Sequence, residues 1–181
     1  GGDGNQASEI YATIGGGLNN VVSGSTGTVA GGQGNQTQNP YGAVGGGSNN
    51  ISRHSYGTIG GGANNIVGLS NDPLLEGFAT IPGGLDNEAL GDYSFAAGRQ
   101  AKVDALHSGV FLYSDSLDKP FHSAAANEFA VRARGGFRLV TAVNAAGAPT
   151  GGAILAPGSS SWSFLSDRAA KEQFAPVDGQ E

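Results

Sequence analysis

The sequence predicts an all-β fold, a parallel β-roll or β-solenoid of 15-residue coils with a β neck and stalk behind it. Three observations predict it. A motif returns every 15 residues, its glycines keep a fixed spacing, and β-branched and aromatic residues fall at constant positions between them. Tyr11-Ala12-Thr13-Ile14-Gly15-Gly16-Gly17-Leu18-Asn19-Asn20 comes back as Thr26-Gly27-Thr28-Val29-Ala30-Gly31-Gly32-Gln33-Gly34-Asn35. It returns again as Tyr41-Gly42-Ala43-Val44-Gly45-Gly46-Gly47-Ser48-Asn49-Asn50 and as Tyr56-Gly57-Thr58-Ile59-Gly60-Gly61-Gly62-Ala63-Asn64-Asn65. The opening Gly1-Gly2-Asp3-Gly4-Asn5-Gln6 matches Gly31-Gly32-Gln33-Gly34-Asn35-Gln36. Around residues 69–77 the register slips by seven, then resumes at Phe78-Ala79-Thr80-Ile81 and Tyr93-Ser94-Phe95-Ala96. A degenerate copy, Ser108-Gly109-Val110-Phe111, follows 15 residues after Tyr93.

Within a coil, the aromatic-small-Thr-β-branched quartet reads as a short strand, because these residue types favour a pleated surface. The Gly run reads as a turn where backbones approach closely or φ is positive. Asn-Asn suits left-handed positions and hydrogen bonding along a stack. A second short strand follows, as at Asn20-Val21-Val22 and Asn65-Ile66-Val67. One coil is too small to bury its own apolar side chains, so stacking must align Ile14, Val29, Val44, Ile59 and Ile81 in a continuous core. Gly-Gly-Gly is therefore a structural turn. A phosphate loop would need a following helix and usually a Lys, and neither is present. The Asn ladder is structural on the same logic, with a polar surface groove for sugar as its alternative.

Composition bounds the function. Gly accounts for 33 of 181 residues and charged residues for 13%, against about 25% charged in ordinary domains. Disorder would not need the fixed spacing. A net charge of −6 without a Lys/Arg cluster argues against nucleic-acid binding and against docking on anionic lipid. With no Cys, disulfides and Cys-based metal sites are excluded. No apolar run approaches about 18 residues, so no membrane insertion is expected. There is no signal peptide and no Met, and the chain opens in mid-repeat. The natural protein is expected to extend beyond both ends.

Residues 1–107 form the Gly-Asn repeat head on this reading, and 108–142 a strand-rich neck. In the neck, Gly109-Val110-Phe111-Leu112-Tyr113-Ser114 is an apolar strand. Residues 127–141 alternate apolar and polar, as two strands broken at Gly135-Gly136 into a hairpin or a kinked strand. Phe129, Val131 and Ala133 would share one face, with Glu128, Arg132 and Arg134 on the other as a solvated or inter-chain ion-pair surface. Residues 143–161, rich in Ala, Gly, Pro and Ser, read as a linker or thin stalk. Residues 162–181 resume with an apolar strand at Trp162-Ser163-Phe164-Leu165. Ser166 or Asp167 then stands where it would cap a helix starting near Arg168.

The coils of residues 1–107 resemble the heads of YadA-like trimeric autotransporter adhesins, which are left-handed parallel β-rolls. The stretch 109–136 resembles the segment that often follows such repeats. The end, Leu165-Ser166-Asp167-Arg168-Ala169-Ala170-Lys171-Glu172, resembles the first residues of the endosialidase-type intramolecular chaperone of phage tailspikes and tail fibres. That resemblance implies a homotrimer and a parent protein that cuts itself between Ser166 and Asp167, with Lys171 assisting. A serine hydroxyl becomes a nucleophile only when a base takes its proton, and a buried neutral Lys can do so. Lys171 would lie about a turn and a half of helix beyond Ser166. Only 15 residues follow Ser166, whereas the family's chaperone runs to roughly a hundred, so no cleavage is expected in this chain, which is not expected to be an enzyme.

The expected function is a structural and adhesive fibre segment of a bacterial surface adhesin or phage-type tail fibre. It would be extracellular, at a cell surface or on a virion, with a host-surface receptor or glycan as partner and no cofactor or metal. Two alternatives stand beside it. A polysaccharide-binding or -degrading tailspike would need paired carboxylates across a groove, but Asp86, Glu88, Asp92, Asp104, Asp115 and Asp118 are scattered through loops. A monomeric ice- or sugar-binding solenoid would need regular Thr ladders, and only Thr13, Thr28, Thr58 and Thr80 recur, with Ala43 interrupting. His54, His107 and His122 lack ligand spacing and read as surface-loop residues. The insertion at 69–77 is the better functional candidate, since solenoid insertions map to loops. Its leucines could equally tuck against a neighbouring chain.

Overall fold

The computed structural model of the chain describes residues 1–70 and 77–166. Among the described residues there is no helix. In chain order the strands are β1 (Gln6–Ala7), β2 (Thr13–Ile14), β3 (Val21–Val22), β4 (Thr28–Val29), β5 (Gln36–Thr37), β6 (Ala43–Val44) and β7 (Ile51–Ser52). Next come β8 (Thr58–Ile59), β9 (Ile66–Val67), β10 (Thr80–Ile81), β11 (Gly84–Leu85), β12 (Glu88–Ala89), β13 (Phe95–Arg99) and β14 (Ala101–Val103). The last six are β15 (Phe111–Ser114), β16 (Phe121–His122), β17 (Phe129–Arg132), β18 (Phe137–Val143), β19 (Pro149–Leu155) and β20 (Trp162–Ser166).

The chain divides into two units, Gly1–Arg132 and Ala133–Glu181. The first is a parallel β-solenoid of about eight coils. One sheet runs β1-β3-β5-β7-β9-β12-β14-β16 and the other β17-β15-β13-β10-β8-β6-β4-β2. Ile14, Val29, Val44, Ile59 and Ile81 stand in register as expected, and Val29 to Ile81 are buried. Facing them from the other sheet are Val22, Val67, Ala89 and Val103. The seven-residue slip is absorbed outside this column: Thr80 pairs with Thr58 and Ile81 with Ile59.

Each coil turns twice through a left-handed residue, and both turns follow one rule. At one corner sit Asn19, Gly34, Asn49, Asn64, Asp86 and Gln100. At the other sit Tyr11, Thr26, Tyr41, Tyr56, Phe78 and Tyr93. The backbone N–H of nearly every corner residue donates to a carbonyl of the coil before, as Asn49 to Gln33 at 2.9 Å and Tyr56 to Pro40 at 3.1 Å. The aromatic residue is therefore the third residue of a four-residue turn, as Tyr56 is in the turn closed by the Gly57 N–H to the His54 carbonyl, and not part of a strand, and each early strand is only two residues long. A left-handed Tyr costs about 1–2 kcal/mol. Offsetting it are that inter-coil hydrogen bond and the stacking of the ring on its neighbours.

The second Asn of each pair is buried and forms a ladder. Asn20, Asn35, Asn50, Asn65 and Asn87 each donate a backbone N–H to the Oδ1 of the Asn one coil earlier, at 2.9–3.0 Å. Each Nδ2 bridges two glycine carbonyls, as Asn50 does to Gly46 and Gly62, both at 2.9 Å. Of the two glycine sets that the ladder bridges, Gly32, Gly47, Gly62 and Gly84 have no room for a side chain, whereas Gly31, Gly46, Gly61 and Gly83 have room for one. At Gly47, φ is +84° and a Cβ would lie 2.0 Å from the Gly62 oxygen.

The solenoid runs to Arg132, 25 residues past the expected head boundary, because β15, β16 and β17 continue the parallel pairing. The late coils abandon the 15-residue spacing. Phe111 pairs with Phe95, one residue later than a 15-residue spacing places it, which turns Leu112 inward and Phe111 outward. Arg132 lies on the inward-facing set with Ala130, not on a solvated face. It is 15% exposed and pairs with Asp115 at 3.0 Å. Its guanidinium also donates to the carbonyls of Leu117, Lys119 and Pro120 and lies over the Phe121 ring. It closes the last coil where the Asn ladder has already ended.

In the second unit, described for 133–166, β18, β19 and β20 form an antiparallel sheet in that order. This corrects one expectation. β17 and β18 are not one hairpin or kinked strand: β17 pairs in parallel with β15, and β18 pairs with β19. The stretch 143–161, read as a linker or thin stalk, contains the seven-residue β19. Pairing on both edges makes a strand of Pro149-Thr150-Gly151-Gly152-Ala153-Ile154-Leu155 despite its weak propensity.

Candidate functional site

Of the three residues singled out for self-cleavage, Ser166 ends β20, its backbone in register with Gly151. Asp167 and Lys171 lie outside the described residues, as do 71–76 of the insertion. On the described flank, Leu69 is exposed, while Gly77 is buried against His54.

The solenoid brings together what the sequence spreads over separate repeats. Thr13, Thr28, Ala43, Thr58 and Thr80 form one outward column on the second sheet. The same column continues as Phe95, Phe111 and Phe129, with ring centroids 4.6 and 4.7 Å apart. Beside it, at the corner, Tyr41, Tyr56, Phe78 and Tyr93 stack at 4.7, 4.7 and 5.5 Å, their planes within 6° of parallel. The spacing follows from the fold, because residues one coil apart are about 4.8 Å apart. Rings stacked this way turn their edges and hydroxyls outward and spend their faces on one another. They form an outward strip of aromatic edges and, at the tyrosines, phenolic hydroxyls, suited to lateral contact rather than to stacking a ligand ring. The period marked these positions, but reading the aromatic as part of a strand concealed that it stands at a corner.

The scattered carboxylates are largely bound up in ion pairs. Glu88 pairs with Lys102 at 2.8 Å, Asp118 with Arg99 at 2.8 Å and Asp115 with Arg132 at 3.0 Å. Asp104 accepts the Leu106 N–H within its own loop. Among the histidines, His54 overturns its surface-loop reading. It is 1% exposed, with Nε2 4.0 Å from Asp92. His107 Nδ1 lies 2.8 Å from the Ser123 hydroxyl, which also accepts the Asp104 N–H. His122 is exposed on β16. No group of three or more potential metal ligands occurs among the described residues.

Fold and surface together define a class: a parallel β-solenoid of coils of about 15 residues, with a buried Asn ladder inside and ladders of Thr and aromatic side chains outside. No protein-family model matches the chain. No curated protein matches it either.

Proposed function

We propose that the chain is a segment of an extracellular, homotrimeric attachment fibre, displayed on a bacterial surface or a virion, that contacts a host-surface receptor or glycan. The observation that carries this is the uninterrupted parallel stack. Some eight coils at about 4.8 Å each make a stiff scaffold about 40 Å long in the first unit alone. Along it, outward residues repeat at coil spacing, which suits multivalent contact with a repetitive surface. The resemblance of the coils to adhesin heads, and of residues 165–172 to the start of a self-cleaving chaperone, supports the same reading. In a parent protein carrying that whole chaperone, Ser166 would be the nucleophile, Lys171 its base and the Ser166–Asp167 bond the one cut.

Attachment is tested with beads coated with the full chain and presented to bacterial and animal cell surfaces. Saturable retention, lost when the chain is heat-unfolded first, is expected. Retention no greater than on the unfolded chain, on every surface tried, would sink the adhesive reading.

A further inference from the structure

The sheet of β18, β19 and β20 is a layer without a core of its own. From 133 to 165 no residue is buried. The strand register places Phe137, Leu155 and Trp162 in one row and Leu139, Ala153 and Phe164 in the next, so all six share one face. Phe137 and Trp162 meet edge to face at 5.9 Å, and little else covers them. Trp162 remains 52% exposed and Phe164 89% exposed. A three-stranded sheet is stable in water when its apolar face is packed against something.

We infer that this face is a self-association surface, covered in the assembled protein by the same face of another copy of this chain. The inference rests on the fibre proposal for its symmetry and deepens it by assigning association to this sheet. Three observations select a second copy. First, the face is free of charge. Arg134 and Arg138 are the only charged residues from 133 to 166, and Arg138 belongs to the opposite face with Ile154 and Ser163. Two copies can therefore approach with no like-charge penalty. Second, the face is self-complementary in relief. Leu139 and Phe164 stand as ridges on either side of Ala153, and the central strand continues to Gly151. Around a three-fold axis the ridge of each copy can enter the valley of the next, so that every face gives one ridge and receives another and the ring closes. Third, the chain's own tail is a poor cover. Residues 167–181 contain six charged residues, and Phe174 and Val177 are their only large apolar ones.

The test uses the full chain and its single tryptophan, Trp162, as a reporter in the face. Light scattering is expected to give a multiple of the 18.0 kDa chain mass, with tryptophan emission shifting to longer wavelength on dilution. Phe164→Asp and, separately, Leu139→Asp should each lower the mass at least two-fold and leave the far-ultraviolet circular dichroism of the solenoid in place. Tyr56→Asp, on the solenoid's aromatic ladder, should not change the mass. An assembled protein whose mass ignores both sheet variants would overturn the inference and leave the fibre proposal standing, with association moved to the solenoid. A single-chain mass for the wild type, with emission independent of concentration, would overturn the inference and the trimeric part of the proposal together.

Discussion

Both units are built from β-strands, mostly two residues long in the solenoid and five to seven in the antiparallel sheet, and they differ in where their satisfied groups lie. In the solenoid, side chains pointing inward meet others one coil away, so Val29, Val44, Ile59 and Ile81 are buried by repetition alone. Each new coil completes the one before it. The antiparallel sheet has three strands, two faces and nothing inside, and its Phe164 and Trp162 remain open. Extending a parallel coil makes an interior, whereas adding a strand to a flat sheet makes only more surface.

That contrast can be broken experimentally, because circular dichroism is dominated by the solenoid and Trp162 fluorescence reports the sheet alone. The largest effect is expected from Asn50→Leu. It removes the acceptor for the Asn65 backbone N–H and the donor to the Gly46 and Gly62 carbonyls in a buried site. A loss on the order of 4 kcal/mol follows, at about 1–3 kcal/mol for each orphaned group. Urea unfolding followed by dichroism should show it, while the fluorescence transition stays where it was. Next comes a matched pair of left-handed glycines. Gly47→Ala drives a Cβ into the Gly62 carbonyl, whereas Gly147, in the β18–β19 turn at φ +79°, has open space around it. The first should cost about 3 kcal/mol or more, through strain added to the left-handed penalty, and the second about 1 kcal/mol. Equal shifts in the two transitions would mean that the solenoid corners are looser than their geometry states. The smallest effect has the opposite sign. The Thr37 hydroxyl is buried with no hydrogen-bond partner among the described residues. Thr37→Val should therefore stabilise the solenoid by about 1 kcal/mol.

Much of the solenoid was legible because its period is a direct image of its geometry. The column of Ile14, Val29, Val44, Ile59 and Ile81 could be read by counting, and so could the strands at Val21–Val22 and Ile66–Val67. Counting could not say which Asn of a pair turns the corner and which is buried, since both types tolerate left-handed backbone. Gly4 and Gly34 held the clue: glycine replaces the first Asn of the pair and not the second, so the second must carry the needed side chain. The aromatic corners were hidden by propensity, which assigns Tyr to strands. Arg132 was placed on the solvated face because Phe129 and Val131 were taken as the core side of the strand, while the core received Ala130, which shares a face with Arg132. β19 has almost no local signal beyond Ala153-Ile154-Leu155, and its pairing comes from strands on either side. For the cleavage candidates, only Ser166 falls within the described residues.

The Asn ladder has a consequence for how such a chain can change over generations. Asn65 and Asn87 are 22 residues apart and Asn87 and Ala101 are 14 apart, yet the N–H to Oδ1 bond is 3.0 Å in both. The ladder counts turns of the coil and is indifferent to how much chain is spent between them. Insertions and deletions at a corner are thereby uncoupled from the register of everything after them. A lineage can lengthen or trim a displayed loop while inheriting the scaffold unchanged, and the same corner offers a protein engineer a position for a grafted sequence.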